Sequence, residues 1–144
     1  MAVQNFKNIH IGNMIRERVT ECQTDTGRIC NFLKCTKDEI NAMYESPSLD
    51  TEVLMRWSKL LEYDFFRVFS HHLVLYAPQS RTQAEKKKIS GNTLPTFRKN
   101  LYTIEIIDFI LEKIETGEKT IQDIITEYRI PKTTLYKWIS KYKK

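Results

Sequence analysis

Glycine and proline are scarce, at four each in 144 residues, which leaves little material for turns and points to long helices. No stretch approaches the roughly 18 consecutive apolar residues of a membrane-spanning helix. Met1 to His10 lacks the basic, apolar, small-residue order of a secretory signal, so the expected location is cytoplasmic and nucleoid-associated, with no membrane partner. Cysteine is limited to Cys22, Cys30 and Cys35, an odd set with spacings of eight and five that fits neither a disulfide framework nor a CxxC metal knuckle. We expect buried thiols. Histidine is limited to His10 and the adjacent His71 and His72, so no pair has the i, i+4 spacing that puts two ligands on one helix face. No metal site and no cofactor are expected. No Ser/His/Asp, Cys/His or paired-carboxylate arrangement stands at a usable spacing, so neither an enzyme nor a small-molecule substrate is expected.

What is present is helical periodicity and an uneven charge. Residues 1–76 carry nine Lys/Arg against ten Asp/Glu, residues 77–100 six against one, and residues 101–144 eight against seven. The net charge of +5 therefore resides in the middle. The last segment is itself divided: Arg129, Lys132, Lys137, Lys141, Lys143 and Lys144 follow an acidic stretch and have no acid among them.

Ile11, Met14, Ile15 and Val19, then Ile29, Phe32 and Leu33, then Ile40, Met43 and Tyr44 predict three short helices. Asp25 is placed to cap the second, and Thr36 with Glu39 to form a capping box on the third. After Ser46-Pro47-Ser48, Asp50 predicts the start of a fourth helix running to about Leu61, with Leu49 and Leu54 as a hydrophobic staple. The apolar stretch from Phe65 to Tyr76 is a fifth helix that either closes the core or presents a dimer or partner surface.

From Ala77 to Asn100 the periodicity disappears, giving a basic linker of about 24 residues that serves as a domain boundary. The expected fold is all-α, with two small helical domains at 1–76 and 101–144 joined by this linker. Beyond it, Ile104, Ile107, Leu111 and Ile114 predict one face of a helix that ends at Gly117. Thr120 with Asp123 is a second capping box, and Pro131 suits the first turn of the final helix.

The last two helices leave Arg129 and Ile130 as the turn between them. Ile121, Ile124, Ile125 and Tyr128 are placed to pack the first, Ile130 to plug the turn, and Leu135, Trp138 and Ile139 to pack the second. The outward set is then Lys132, Thr133, Thr134, Tyr136, Lys137, Ser140 and Lys141, residue types that pair with phosphates and base edges. The string Tyr128-Arg129-Ile130-Pro131-Lys132-Thr133-Thr134-Leu135-Tyr136-Lys137-Trp138 resembles the helix-turn-helix of bacterial insertion-sequence transposases and resolvase-like proteins, over about residues 120–141. That resemblance implies that Lys132, Thr133, Thr134, Tyr136 and Lys137 read DNA and that Trp138 anchors the core. Arg129 stands where the family usually has glycine, so a residue with a Cβ is expected at positive φ, at a cost of roughly 1 kcal/mol. Ile125 stands where alanine is usual.

Residues 9–66 resemble the five-helix domain of Xre-type, phage-repressor-like regulators. Cys30 falls at the small buried position of the first motif helix, Lys34-Cys35-Thr36 at the turn, and Lys37 to Tyr44 on the recognition helix. The candidate DNA contacts of this domain are Arg28, Lys37, Asp38 and Asn41. Asp38 and Glu39 would repel phosphates, although an acid can accept from cytosine N4. In the linker, Arg98 and Lys99 resemble a basic arm ahead of a helical DNA-binding domain, and Lys86 to Lys88 add phosphate contacts. The expected partner is double-stranded DNA, with a homodimer through the N-terminal domain as a further possibility. The linker's r.m.s. span of roughly 25–30 Å is close to the ~34 Å between successive major-groove faces, so both domains can address one duplex. Strand transfer by the common transposases needs three carboxylates on an RNase H-like fold, and this chain is too short for one.

Overall fold

In a computed structural model, which describes residues 6–77, 94–95 and 102–142, all regular structure is α-helical. Eight helices occur among the described residues: α1 (Ile11–Cys22), α2 (Thr26–Leu33), α3 (Lys37–Glu45), α4 (Thr51–Leu61), α5 (Phe65–Tyr76), α6 (Ile104–Glu115), α7 (Ile121–Glu127) and α8 (Lys132–Tyr142). None is long and apolar enough to cross a membrane.

Their starts follow from capping chemistry. The Asp25 carboxylate accepts from the Arg28 amide at the head of α2, and Asp50 accepts from Glu52 at the head of α4. Thr36 and Glu39 form a reciprocal capping box on α3, and Thr120 and Asp123 do the same on α7. The Thr120 hydroxyl and amide hold the Asp123 carboxyl below the usual carboxylate range. His10 caps α1 through Nδ1, which accepts from the Asn13 amide at 3.2 Å.

Their ends show the cost of having little glycine. Gln23, Lys34 and Glu62 close α1, α2 and α4 in the left-handed region, at φ of 51°, 54° and 49°. In each case the next residue's amide reaches back to a carbonyl in the last turn: Thr24 to Val19, Cys35 to Cys30 and Tyr63 to Ser58. After α6 the left-handed residue is Gly117, at φ 72°, and the amide that reaches back is that of Lys119, two residues on, which donates to the Lys113 carbonyl. A side chain at positive φ costs about 1–2 kcal/mol, and the extra freedom of glycine in the unfolded chain offsets about 0.5–1 of that. Gln23→Gly, Lys34→Gly and Glu62→Gly should therefore each raise stability by roughly 0.5–1 kcal/mol in urea denaturation.

Packing divides the chain into two compact units, one spanning Asn5–Ser70 and the other containing His71 onward. The division falls inside α5, six residues before the domain edge expected after Tyr76. The second half of α5 has partners in the second unit: His71 Nε2 lies 2.9 Å from the Thr103 hydroxyl, and the Tyr76 ring meets Tyr128 edge-on at 5.9 Å.

In the first unit, α1–α4 and Phe65 enclose one apolar core centred on Ile15, Ile29, Ile40 and Trp57. Leu49 packs against the same core as the buried Leu54. The Trp57 indole N–H donates to Met43 Sδ at 3.3 Å, and the Arg56 guanidinium caps the end of α2 by donating to the Phe32 carbonyl at 2.7 Å. α1 approaches the end of α3 without a side chain between them. Gly12 is buried, and a Cβ there would lie 2.3 Å from the carbonyl oxygen of Tyr44 and 2.4 Å from that of Met43. The amides of Ile11 and Gly12 donate to the carbonyls of Pro47 and Ser46 at 3.1 and 3.0 Å. These bonds satisfy two of the orphan donors at the start of α1.

Two expectations need correction here. The cysteines are not buried thiols: Cys22 is exposed and Cys30 and Cys35 are half-buried, all three free. Cys22 ends α1 on its solvent side, beside the left-handed Gln23. The α6 face is also turned from the one expected. Ile106, Ile107, Phe109, Ile110 and Leu111 are buried, whereas Ile104 is 65% exposed and Ile114 half-buried. Apolar residues cover more than half the circumference of α6, so spacing alone leaves its rotation open, and the aromatic partners choose it. Phe109 meets the Tyr128 ring edge-on at 6.3 Å.

Candidate nucleic-acid interface

The second unit positions α8 by burying one side of it. Leu135 and Trp138 face the interior, Ile139 is half-buried, and the Trp138 ring meets Tyr102 edge-on at 4.9 Å. Ahead of α8, Ile124 and Tyr128 anchor α7, and Ile130 plugs the turn with 1% of its surface exposed. Ile121 and Ile125, expected in the same packing seam, are only half-buried. Tyr128 is enclosed by Tyr76, Phe109 and the Lys119 ammonium. Burial first, and the neighbouring Tyr76 second, push its hydroxyl pKa well above the ordinary phenol value.

The turn has the geometry anticipated for Arg129, which adopts φ 55°. Pro131 sits one residue ahead of α8 rather than in its first turn, and its carbonyl accepts the Leu135 amide at 3.0 Å. Arg129→Gly should relieve the same strain as the other left-handed sites, by roughly 0.5–1 kcal/mol.

Of the seven residues expected to face outward, Lys132, Thr133, Tyr136, Lys137, Ser140 and Lys141 are exposed, and Thr134 is half-buried against the unit. Lys132 Nζ stands 5.8 Å from the Tyr136 ring centroid, one helical turn on, and Lys141 Nζ lies 5.1 Å from the Tyr142 ring. Lys132, Lys137 and Lys141 make no ion pair among the described residues. The other two described lysines of this unit differ. Lys113 is paired with Glu118 at 2.8 Å and Lys119 with Glu127, so their charge is spent on holding the loop after α6. The exposed acids Glu105, Asp108, Glu112 and Glu115 recur along α6 at helical spacing. Four of the unit's described acids therefore lie along one helix, whereas Lys132, Lys137 and Lys141 lie along another.

The first unit contains a second pair with the same construction. Asp25, Ile29, Leu33, Lys34 and Ile40 occupy the same spacing as Thr120, Ile124, Tyr128, Arg129 and Leu135. In both, the first residue caps a helix, the fourth is left-handed at φ 54° or 55°, and the other three are buried. The signal was present in the chain as two superposable strings. It is hidden because the shared positions are apolar or capping and almost none is identical.

The exposed residues of the two pairs carry opposite character. Arg28, Lys37, Asp38 and Asn41 are exposed, as expected of candidate contacts, and Asp38 and Glu39 lie in the first turn of α3. Both acids have structural work there. Glu39 accepts from the Thr36 amide at 2.7 Å, and Asp38 offsets the positive end of the helix dipole. Further along α3, Glu45 pairs with Arg16, whose guanidinium also lies 5.5 Å from the Tyr44 ring. α3 therefore has less free positive charge than α8.

Arg98 and Lys99, and the run Lys86 to Lys88, lie outside the described residues. Among the described residues no group of three or more His, Cys, Asp or Glu could hold a metal ion. No protein-family model, curated protein or solved structure matches this chain.

Proposed function

We propose that the chain binds double-stranded DNA through α8, acting as a transcriptional regulator or as the DNA-binding accessory of a mobile element. The observation that carries this reading is the outer face of α8. Lys132, Thr133, Tyr136, Lys137, Ser140 and Lys141 are exposed together on a helix whose opposite side is anchored by Leu135 and Trp138. An α-helix fits the major groove, where lysine pairs with phosphates or guanine edges and hydroxyls donate to phosphates. Three lysines with no ion-pair partner among the described residues suit the counterion release that duplex binding requires. Arg98 and Lys99 would add contacts from the linker.

Selection from a random duplex pool tests it. The full chain should enrich a defined sequence, and Thr133→Ala with Tyr136→Phe should relax the preference at one or two positions, by about 1–3 kcal/mol each, while leaving the rest. A pool with no enriched sequence would contradict base reading by α8.

A second reading is favoured by one observation on α5. Leu73 is 62% exposed and Phe69 36%, on a helix whose other side is buried. An exposed apolar edge of this kind suits a protein contact, including a second copy of the chain. Sedimentation of the protein alone separates a dimer from a monomer.

A further inference from the structure

We propose that Cys30 and Cys35 form a reversible disulfide across the turn between α2 and α3, with a low-molecular-weight disulfide of the glutathione type as oxidant. Their spacing of five, unproductive in an extended chain, is the spacing that the left-handed cap at Lys34 folds back on itself. The Cys35 amide donates to the Cys30 carbonyl at 3.2 Å. Two short covalent paths and that one hydrogen bond keep the Cα atoms within roughly 7 Å, at the outer limit of what a disulfide spans. Residues at these two positions of such a cap commonly bring their side chains together. Both thiols are free, half-buried and packed against the same apolar core, whereas Cys22 stands exposed at the end of α1.

The chemistry is two successive exchanges. One cysteine thiolate attacks the small disulfide, breaking its S–S bond and expelling one small thiol, which leaves a mixed disulfide on the protein. The second cysteine then attacks the protein sulfur of that bond and expels the other small thiol. Two cysteine thiols are oxidised, one small disulfide is reduced to two thiols, and the protons end on the released thiols. Burial lifts the Cys35 thiol above the usual thiol range; Cys30 and Glu39 act in the same direction, and Arg56 opposes them. Exchange is therefore slow at neutral pH and accelerates as pH rises. The closed bond would tie the last turn of α2 to the residue before Thr36, the cap of α3.

The test uses the full chain carrying Cys22→Ser, incubated with glutathione disulfide, alkylated, and digested with trypsin without reductant. Cleavage after Lys34 separates the two cysteines into Ile29–Lys34 and Cys35–Lys37. The expected main product is these two peptides joined, short of two hydrogens, and parted again by dithiothreitol. In the Cys30→Ser chain, Cys35 should instead retain a stable glutathione adduct. Separate glutathione adducts on Cys30 and Cys35, or alkylated thiols at both positions after prolonged exposure at pH 9, would overturn the proposal.

Discussion

Gly12→Ala is expected to destabilise the first unit by about 2–6 kcal/mol, a large share of the stability of a unit this size. The added Cβ would meet three backbone carbonyl oxygens, those of Tyr44, Met43 and Ser46, at 2.3, 2.4 and 2.7 Å. None of them can rotate away as a side chain would. α1 would have to retreat from the end of α3, and the bonds from Ile11 and Gly12 to the loop carbonyls would lengthen or break. Overpacking of this kind costs about 1–3 kcal/mol, and an amide left without its acceptor about 1–3 more. Gly27 is the internal comparison. A Cβ there meets the Asp25 carboxylate oxygen at 2.8 Å, the far end of a movable side chain, so Gly27→Ala should change stability by less than about 1 kcal/mol. Urea denaturation of both variants measures the difference, and a Gly12→Ala chain within 1 kcal/mol of the parent would refute the close approach.

Leu135→Ala is expected to cost the second unit about 2–5 kcal/mol, because the side chain is fully buried and its removal leaves a cavity beneath α8. A unit of this size has little stability to spare, so α8 should lose its fixed orientation. The two tryptophans report on the two units separately, Trp57 in the first and Trp138 in the second. In the NMR spectrum of Leu135→Ala the Trp138 indole N–H should move toward its random-coil position while that of Trp57 stays in place. Equal movement of both would mean that the units do not unfold separately.

Much of this architecture is legible in the chain because capping is local chemistry. Asp25, Thr36 with Glu39, Asp50 and Thr120 with Asp123 each satisfy amides within a few residues, so the spacing alone locates the helix starts. The positive φ of Arg129 is legible through the resemblance alone, since Arg129 stands where the resembled helix-turn-helix usually has glycine. The rotation of α6 is not, since its apolar residues fill too wide an arc to name one face. Gly12 is silent for a different reason. A glycine inside a helix reads as a weak point until the carbonyls that crowd it come from residues more than thirty positions away. The outer face of α8 is legible because the buried set, Leu135 and Trp138, defines its complement. Only Thr134 departs, being half-buried where full exposure was expected.

The claim that α8 is a DNA-binding surface stands or falls most directly on how duplex affinity depends on salt. For the full chain, log affinity should fall steeply and linearly with log salt concentration. In Lys132→Ala with Lys137→Ala the slope should become shallower by about two units, since each phosphate contact contributes about 0.9. Unchanged indole resonances in that variant would show that the fold is intact. An unchanged slope, or no duplex binding by the parent chain at low salt, would contradict the account.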